Sequence, residues 1–459
     1  MNKHARLAKK YAASFPKVPR FPRTIGREAE FPVVDSTGSA GDVQRLLTRL
    51  GGSGSGDNIV TRMNTVDGGS IIGNIRSRKC IFSAEVGMGT VEVICDPCVD
   101  LHQLNDLHSN AMTSLVKAAD AEDLTVLGMG MQPISPPSLE LMTPLPRYRV
   151  LREVLGDSWL WFSTTASDQV HVDMAASEFG AVTAACNGAS FAVIGLCGNS
   201  GIHSGGLDPH FCCSREGSME RVHDVSRRHG IPPEPIITTE NWVRQVSALD
   251  VLLTSRCQNS QPALCSSGSL SSFSDLIHPL TTADADTDNR IWDLFQTHEH
   301  YVWHSARPRA KQATIELRAS CQQPGEDHMV ASAFSLGLVE AHVEVLHVLT
   351  GDGGLSGLPH VWDHLIGLHT KAVQRGLEDD GVATMCHLLL EACEEGLVRR
   401  GLGEEVYLEP LWHRLRVRQN PSQKSRSLFQ SYTNDAPGHT REQDRGLRQV
   451  IEAARIHQP

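Results

Sequence analysis

The chain has 459 residues, of which 53 are acidic and 42 basic, giving a formal net charge of −11. An acidic chain lacks the clustered Lys and Arg that phosphate neutralisation needs, so the composition argues against a nucleic-acid partner. Apolar residues make up 40% of the chain, which is enough for a globular core. No apolar run approaches the about 20 residues of a membrane span, so we expect small-molecule partners and no membrane.

The N-terminus is basic, with no acidic residue before Glu28. We interpret residues 1–23 as a basic arm; the alternative is an organelle transit peptide, although serine is scarce there. Twelve cysteines without regular spacing fit a reducing interior better than a disulfide framework. We therefore expect a cytoplasmic protein of one to three domains, of unknown oligomeric state.

The first strand signal is "TIGREAEFPVV" (24–34). Residues i and i+2 of a strand share a face, so Glu28 and Glu30 project to the same side. Two carboxylates on one face of an otherwise apolar strand are unusual, because Glu and Asp are depleted in strands.

A hairpin follows in "FSAEVGMGTVEVI", with its turn at residues 87–89. If the loop has an even number of residues, Glu85 lies directly opposite Glu92. That pairing repels unless a cation lies between the two carboxylates. An odd loop would put them on opposite faces.

Helical patterns come next. Asp100 predicts an N-cap for a helix over about 101–121. An apolar stretch over 328–354 predicts one buried helix that ends at a glycine cluster. Two further helices are expected over about 382–399 and 440–456. The Gly- and Ser-rich segments 51–57 and 259–275 predict mobile loops.

Two later strands repeat the polar face of the first. "DQVHVDM" projects Gln169, His171 and Asp173 to one side, with Val170 and Val172 towards the core. "ATIELRA" projects Thr314, Glu316 and Arg318 in the same way. For any one strand, a solvated face of an antiparallel sheet explains the pattern.

Taken together, the strands favour a functional site. Provided that the late strand joins the early ones in one α+β domain, a single face collects the carboxylates with one imidazole and Gln169. Many oxygen ligands with one nitrogen ligand suit Mg²⁺ or Mn²⁺ rather than zinc. Magnesium held by carboxylates is commonly shared with nucleotide phosphates, and Arg318 could contact a transferring phosphoryl group.

Other motifs have weaker support. No GxxxxGK[ST] loop, GxGxxG fingerprint or GxSxG elbow occurs, which disfavours the common nucleotide folds and serine hydrolases. "CDPC" (95–98) is a lone CxxC at a predicted strand end without a second pair. "HEHYVWH" (298–304) has no common zinc spacing.

The ordered motifs resemble those of glutamate–cysteine ligase type 2, the family of plant-type glutamate–cysteine ligases and bacterial carboxylate–amine ligases. "GREAEF" is similar to its G-x-E-x-E strand, and "SAEVGMGTVEVICDPCVDL" to its paired-glutamate hairpin and P-x-x-D-L helix start. "ASDQVHVDM", "VIGLCGNSGIHSGGLDPHFCCSR" and "YVWHSARPRAKQATIELRASCQQP" follow in the family's order, over about residues 24–324.

The resemblance implies a glutamine-synthetase-like fold over residues 24–459, in which a curved antiparallel sheet forms a funnel for ATP and Mg²⁺ (or Mn²⁺). It implies an enzyme that phosphorylates a carboxylate with ATP and then lets an amine attack the acyl phosphate, as in γ-glutamylcysteine synthesis. By motif position, the metal ligands would be Glu28, Glu30, Glu85, Glu92, His171 and Glu316. Gln169 would line the floor, Arg318 would steady the phosphoryl group together with Glu316, and Arg307 and Arg215 would contact phosphate or carboxylate groups.

Three departures from the family concern the substrates more than the reaction. The family's A-N-S-P is "GNSG" (198–201), "TIELR" is followed by "ASCQQP", and the hairpin lacks the E-P-G-G turn. A different carboxylate or amine therefore stays open. So do a phosphagen-type phosphotransferase on the same fold and a non-catalytic relative.

Overall fold

A nine-stranded antiparallel sheet organises the structure. The computed structural model describes residues 2–52, 58–220, 227–253, 271–280, 285–433 and 440–458. The strands of this sheet are β1 (Ile25–Val34), β2 (Ile59–Asn64), β3 (Ser70–Ser77), β4 (Cys80–Ala84), β5 (Thr90–Cys98), β6 (Thr125–Val126), β7 (Asp168–Asp173), β12 (Ala306–Arg309) and β13 (Thr314–Leu317). Two small sheets pair β8 (Ile202–His203) with β9 (Gly206–Leu207), and β10 (His229–Gly230) with β11 (Trp303–His304).

The strand order is β12-β13-β7-β1-β5-β4-β3-β2, and β6 pairs with the end of β1. The late strand β13 therefore lies beside β7, two positions from β1, as the shared polar face requires. The α+β class and the large antiparallel sheet predicted from the sequence are confirmed.

Seven α-helices are described in the N-terminal half of the chain. They are α1 (Lys3–Ala12), α2 (Val43–Gly52), α3 (Leu101–Asp120), α4 (Pro146–Leu155), α5 (Phe179–Gly188), α6 (Ser190–Cys197) and α7 (Ser214–Glu220). Of these, α2, α3 and α5 contact strands of the sheet. The Asp100 side chain accepts a hydrogen bond from the Gln103 backbone N–H at 2.7 Å, which confirms the predicted N-cap of α3.

Helices dominate the C-terminal half. They are α8 (Thr239–Ser247), α9 (Phe273–Ile277), α10 (Ala285–Glu299), α11 (Val330–Glu340), α12 (His342–Thr350), α13 (Gly354–Arg375), α14 (Asp380–Arg400), α15 (Glu409–Val417), α16 (Pro421–Thr433) and α17 (Thr440–Ala454). The two helices predicted near 382–399 and 440–456 are confirmed as α14 and α17.

The single helix predicted over 328–354 is wrong. Two helices, α11 and α12, meet at Ala341, which has φ −102° and ψ 21°, and the bend between them is 82°. The predicted burial is confirmed for the first helix, because every residue from Val330 to Val339 is buried. A periodicity that is apolar all round indicates burial, but it gives no information about a bend imposed by neighbouring helices.

The two predicted loops lie largely outside the described residues. Residues 53–57 and 254–270 are not described, so the prediction is untested there. Both predictions are wrong at the ends that are described. Residues 51 and 52 belong to α2, and α9 begins at Phe273 with Ser272 as its N-cap.

One hydrophobic core joins the back of the sheet to the helices. Alternation along β1 and β7 buries Ile25, Ala29, Val170 and Val172 completely, and α3, α5 and α11 pack near that face. The opposite face of the same strands is therefore free to carry polar groups.

Helix α1 packs into the same core. Leu7, Ala8 and Tyr11 are buried in it, and the Tyr11 hydroxyl donates to the Pro308 carbonyl of β12 at 3.0 Å. The basic segment thus contains an ordered helix attached to an edge strand of the sheet.

Within the described ranges, no single helix is long and apolar enough to cross a membrane. Two bent pairs, 176–197 and 325–350, reach the length and composition of a span only when each pair is taken together.

Candidate active site

The polar face of the sheet brings together the side chains that the strand alternation predicts. Strand register places Glu30 opposite Glu92 and Glu28 opposite Gln169. On the other side of β7, His171 lies opposite Glu316. Three antiparallel pairings therefore align residues that are up to 288 positions apart in sequence, from Glu28 to Glu316.

Glu30 is held in place by its neighbours on β7. Gln169 Nε2 donates to Glu30 Oε1 at 2.8 Å. The Ser167 backbone N–H and hydroxyl both donate to Glu30 Oε2, at 2.6 and 2.9 Å. These bonds fix the carboxylate orientation, as an arrangement for receiving a ligand requires.

Glu30, Glu85 and Glu92 form a carboxylate cluster. One oxygen from each lies within 4.8 Å of the other two. Burial, followed by the charge of Glu30, raises the pKa of Glu85 to about 7. Burial and the charges of Glu85, Glu28 and Glu30 raise the pKa of Glu92 well above its usual range. Burial also raises the pKa of Glu30, although Ser167, Arg215 and Arg318 oppose this effect. A divalent cation would favour the ionised forms of all three carboxyl groups.

The register corrects one detail of the predicted hairpin. Glu92 pairs with Ser83 on β4, not with Glu85, because β4 ends at Ala84 and Glu85 begins the connecting segment. The two glutamates share a face, since Ser83 and Glu85 are two residues apart. The directly opposed carboxylates are instead Glu30 and Glu92.

His171 is oriented for a ligand on one ring nitrogen. Its Nδ1 lies 3.0 Å from the Thr314 hydroxyl, while its Nε2 is buried and has no hydrogen-bond partner. That Nε2 lies 3.4 Å from Glu28 Oε1 and 3.9 Å from Glu316 Oε2. Burial disfavours ionisation of Glu28, but His171 outweighs this effect and lowers the pKa of Glu28.

Glu316 is surrounded by arginines. Arg307 binds both of its oxygens, at 2.9 and 3.0 Å, Arg309 Nε lies 3.3 Å from Oε2, and Arg318 also contacts it. Burial opposes ionisation, yet these arginines hold the pKa of Glu316 well below its usual range. Glu316 is therefore an ionised, bidentately held carboxylate between the imidazole and the guanidinium groups.

Arg318 and Arg215 lie at the edge of this face. Arg318 donates to Gln169 Oε1 as well as to Glu316. Arg215 Nη2 donates to the Arg318 carbonyl at 2.8 Å, and its Nη1 donates to Glu216 at 2.6 Å. Arg215, Arg318 and Glu30 line the same cavity, so Arg215, which lies on α7, belongs to this neighbourhood.

The donor set fits a divalent cation. Three clustered carboxyl groups have raised pKa values in the absence of a ligand, and the buried Nε2 of His171 faces Glu28. Oxygen-rich donors with one imidazole are the chemistry of Mg²⁺ and Mn²⁺ sites. Glu28 and His171 could hold a second cation beside the carboxylate cluster, whereas Glu316 is already engaged by arginines.

The other motifs considered for metals do not form such a group. Cys95 and Cys98 lie at the C-terminal end of β5, as predicted, with Cys98 as its last residue, and Cys95 Sγ is 3.8 Å from Cys80 Sγ. The rings of His298 and His304 contact separate backbone carbonyls, those of Val246 and Arg227. Among the described residues, the carboxylate cluster is the only group in which three or more His, Cys, Asp or Glu side chains bring their ligand atoms within 4.8 Å of one another.

Sequence reasoning missed Arg309 and Ser167. Arg309 had a local signal, because "ARPR" places Arg307 and Arg309 two residues apart on one strand face. Ser167 precedes β7 and had none, since its bonds to Glu30 depend on the pairing of two distant strands.

Comparison with solved structures shows the fold. Glutamate–cysteine ligase from Francisella tularensis, solved in complex with AMP, is similar at TM-score 0.54 and 11% identity, covering 96% of this chain and 90% of that one. A bifunctional glutathione synthetase from Pasteurella multocida is similar at TM-score 0.55 and 10% identity, covering 99% of this chain and 55% of that one. The class defined by the sheet is therefore the glutamate–cysteine ligase fold.

The family comparison is more specific. Residues 24–190 match the profile of glutamate-cysteine ligase family 2, which confirms the resemblance over that range and supports an ATP-dependent ligase. The matched segment contains Glu28, Glu30, Glu85, Glu92 and His171. A search of curated protein sequences gives no significant match.

Proposed function

We propose that this protein is an ATP-dependent carboxylate–amine ligase that forms an amide through an acyl phosphate. The observation that carries the proposal is the meeting of three carboxylates, an oriented imidazole and an arginine-held glutamate on one sheet face. The family match over residues 24–190 supports it.

The metal-holding residues would be the carboxylate cluster together with Glu28 and His171. Bound Mg²⁺ or Mn²⁺ would supply Lewis-acid neutralisation of the phosphate oxygens of ATP. Thr314 and Ser167 orient the imidazole and one carboxylate, so that little reorganisation is needed when ligands arrive. If Glu316 also binds a metal ion, it would have to replace some of its contacts with arginines by a bond to the metal.

The arginines act on the transferring phosphoryl group. Arg318 projects from the end of β13 towards the face, and Arg307 and Arg309 stand beside it around Glu316. Guanidinium groups in this arrangement stabilise charge on phosphate oxygens. Arg215 extends the positive charge into the adjoining cavity, where it would bind a substrate carboxylate, and Gln169 joins Glu30 to Arg318 across the floor.

The substrates that we propose are glutamate and cysteine, joined as γ-glutamylcysteine. Support comes from the family name and from the printed name of the Francisella tularensis neighbour. A related ligase with another carboxylate or amine is the alternative, given the departures at residues 198–201 and after Arg318. We further propose that residues 24–459 form one catalytic domain with residues 1–23 as its arm. A cytoplasmic location would suit the ten described cysteines, which are buried and unpaired in disulfides.

The test is release of ADP from the purified protein with ATP, Mg²⁺, glutamate and a panel of amines, beginning with cysteine. We expect ADP release that needs both a carboxylate and an amine. Glu28→Gln and Glu316→Gln should each lower the rate by at least about 100-fold while leaving a folded protein. Full activity in either variant would contradict the site assignment.

Glu326→Gln is the matched control, because Glu326 is exposed and lies away from the sheet face. Its rate should equal that of the unmodified protein. Product analysis separates the rivals: free phosphate with an amide identifies a ligase, and a phosphorylated product identifies a phosphotransferase. Absence of ATP turnover with any acceptor would favour a non-catalytic relative.

A further inference from the structure

A cavity adjoins the carboxylate cluster on the side of Arg318. It takes in about 450 Å³ of space, open solvent at its mouth included, and reaches from Glu30 to residues outside the large sheet. Arg215 and Arg318 supply positive charge to its wall. Phe162, Met219 and Trp303 supply an apolar part, with the Phe162 and Trp303 ring centroids 5.0 Å apart.

A cavity wall with one positively charged part and one apolar part suits a small zwitterionic amine. A carboxylate would pair with the arginines, an apolar or thiol side chain would contact the aromatic part, and the amino group would point towards Glu30 and the metal-holding face. Such an amine enters as an ammonium ion at neutral pH and must lose a proton before it can attack.

His229 occupies the wall of this cavity. Strand β10 pairs in parallel with β11, which places His229 beside Trp303. Its Nε2 lies 3.9 Å from Glu216 Oε1, and Glu216 is itself held by Arg215. The imidazole side chain is 11% exposed, so it is nearly enclosed but faces the cavity.

Five charged or titratable groups, from four parts of the chain, face His229. They are Arg215 and Glu216 on α7, Arg318 after β13, His304 on β11 and His369 on α13. Burial contributes most, and the charges of Arg215, His369, Arg318 and His304 act in the same direction, so that the pKa of His229 lies well below its usual range. The ring is therefore neutral at pH 7, as a proton acceptor must be.

We infer that His229 is the proton acceptor for the ammonium group of the amine substrate, and that this cavity is the site where an α-amino-acid acceptor binds. The inference rests on the proposed ligase function and adds the residue that prepares the nucleophile.

The ammonium gives one proton to the neutral His229 ring, and the freed electron pair of nitrogen attacks the carbonyl carbon of the acyl phosphate. A C–N bond forms and the C–O bond to phosphate breaks. The second nitrogen proton leaves with the phosphate, which departs as hydrogen phosphate, and His229 returns its proton to solvent.

Hydroxylamine provides the decisive comparison, because it is already neutral at pH 7 and needs no proton acceptor. In the complete protein with ATP, Mg²⁺ and glutamate, His229→Gln should lower the rate of amide formation with cysteine by about 100-fold. Hydroxamate formation should fall far less. Equal losses with both acceptors, or no loss with cysteine, would overturn the role of His229.

His387→Gln is the matched control, because that side chain is 55% exposed and distant from the cavity; neither product should change. A second measurement needs no variant. In the unmodified protein, the ratio of amide to hydroxamate should stay nearly constant between pH 8 and pH 6.5, a range set by the usual pKa of histidine of about 6.5.

Without a protein acceptor, the ratio would instead fall about tenfold per pH unit with the fraction of free amine, and that result would overturn the inference. If the unmodified protein forms neither product, the proposed function itself fails, and the inference fails with it.

Discussion

Glu30 and Glu92 face each other directly across two antiparallel strands. Like charges at directly opposed positions destabilise a sheet by up to about 1 kcal/mol. Here Glu85 adds a third carboxylate within 4.8 Å. The cluster therefore destabilises the sheet locally, and a bound cation would offset that destabilisation. This is expected for a binding site rather than for a solvated surface.

Glu92→Gln tests this at the level of one residue. Removal of the ionisable carboxyl group should raise the stability of the metal-free protein by about 0.5–1 kcal/mol at pH 8, because burial and the neighbouring carboxylates disfavour its ionised form in the folded state. It should also remove most of the stabilisation that added Mg²⁺ gives the unmodified protein. Thermal unfolding with a chelator and with Mg²⁺ measures both effects.

The control for this prediction is Glu409→Gln, whose side chain is 70% exposed. That change should leave both unfolding curves close to those of the unmodified protein. A metal-free Glu92→Gln protein that is less stable, or one that Mg²⁺ still stabilises fully, would show that Glu92 is a structural residue.

For individual residues, much of the candidate site could be predicted from the sequence. The period of two places Glu28 with Glu30 and Gln169 with His171, because side-chain direction in a strand depends only on parity. The opposition of Glu30 and Glu92 could not be predicted, since register depends on turn geometry and on which strands pair. His229 and Trp303 are brought to the cavity by a short parallel pairing that has no local signal.

Helices α11 and α14 approach closely at Gly337. A methyl group there would lie 2.6 Å from Cys393 Cβ and 3.1 Å from Cys393 Cα. Since the second of these is a backbone atom, a side-chain movement alone cannot relieve the contact. The spacing explains why glycine interrupts an otherwise apolar helix that packs behind β7.

Gly337→Ala should therefore destabilise the protein by about 1–3 kcal/mol, although alanine is the better helix former. Gly367→Ala in α13 is the matched control, because nothing lies within 4 Å of the added methyl group. That change should stabilise by about 0.5–1 kcal/mol. Chemical denaturation of both variants measures the sign of each change in the free energy of unfolding. A stabilised Gly337→Ala protein would contradict the packing described.

Helices were predictable where a cap or an amphipathic period marks them, as at Asp100 and over α14. The break at Ala341 was not, because α11 packs on α14 while α12 packs on α5 and α13. Such a break reflects contacts with distant segments, which local propensity does not contain.

For the whole molecule, the strand order explains how dispersed motifs make one site. β13, β7, β1 and β5 are successive neighbours in the sheet, although other strands and helices separate them along the chain. From the sequence, the polar face of β13 predicts that this strand joins β1 and β5 in one sheet. The position of α1 against β12 could not be inferred from its basic composition.

The low identity to the solved neighbours, 10–11%, means that the fold is preserved while the substrate pockets are free to differ. The face that we propose to hold metal lies mostly within the matched segment 24–190, whereas Arg215, His229, Trp303 and Arg318 lie beyond it. We therefore expect the reaction type to follow the family and the choice of amine to be particular to this chain.

The central claim is that amide formation proceeds through an acyl phosphate on this sheet face. The most direct test uses a carboxylate substrate labelled with ¹⁸O in its reacting carboxyl group, with ATP, Mg²⁺ and the amine. The account predicts that one labelled oxygen appears in inorganic phosphate for each amide formed, because the carboxylate oxygen attacks the γ-phosphorus. Amide formation with unlabelled phosphate, or phosphate retained on the product, would contradict it.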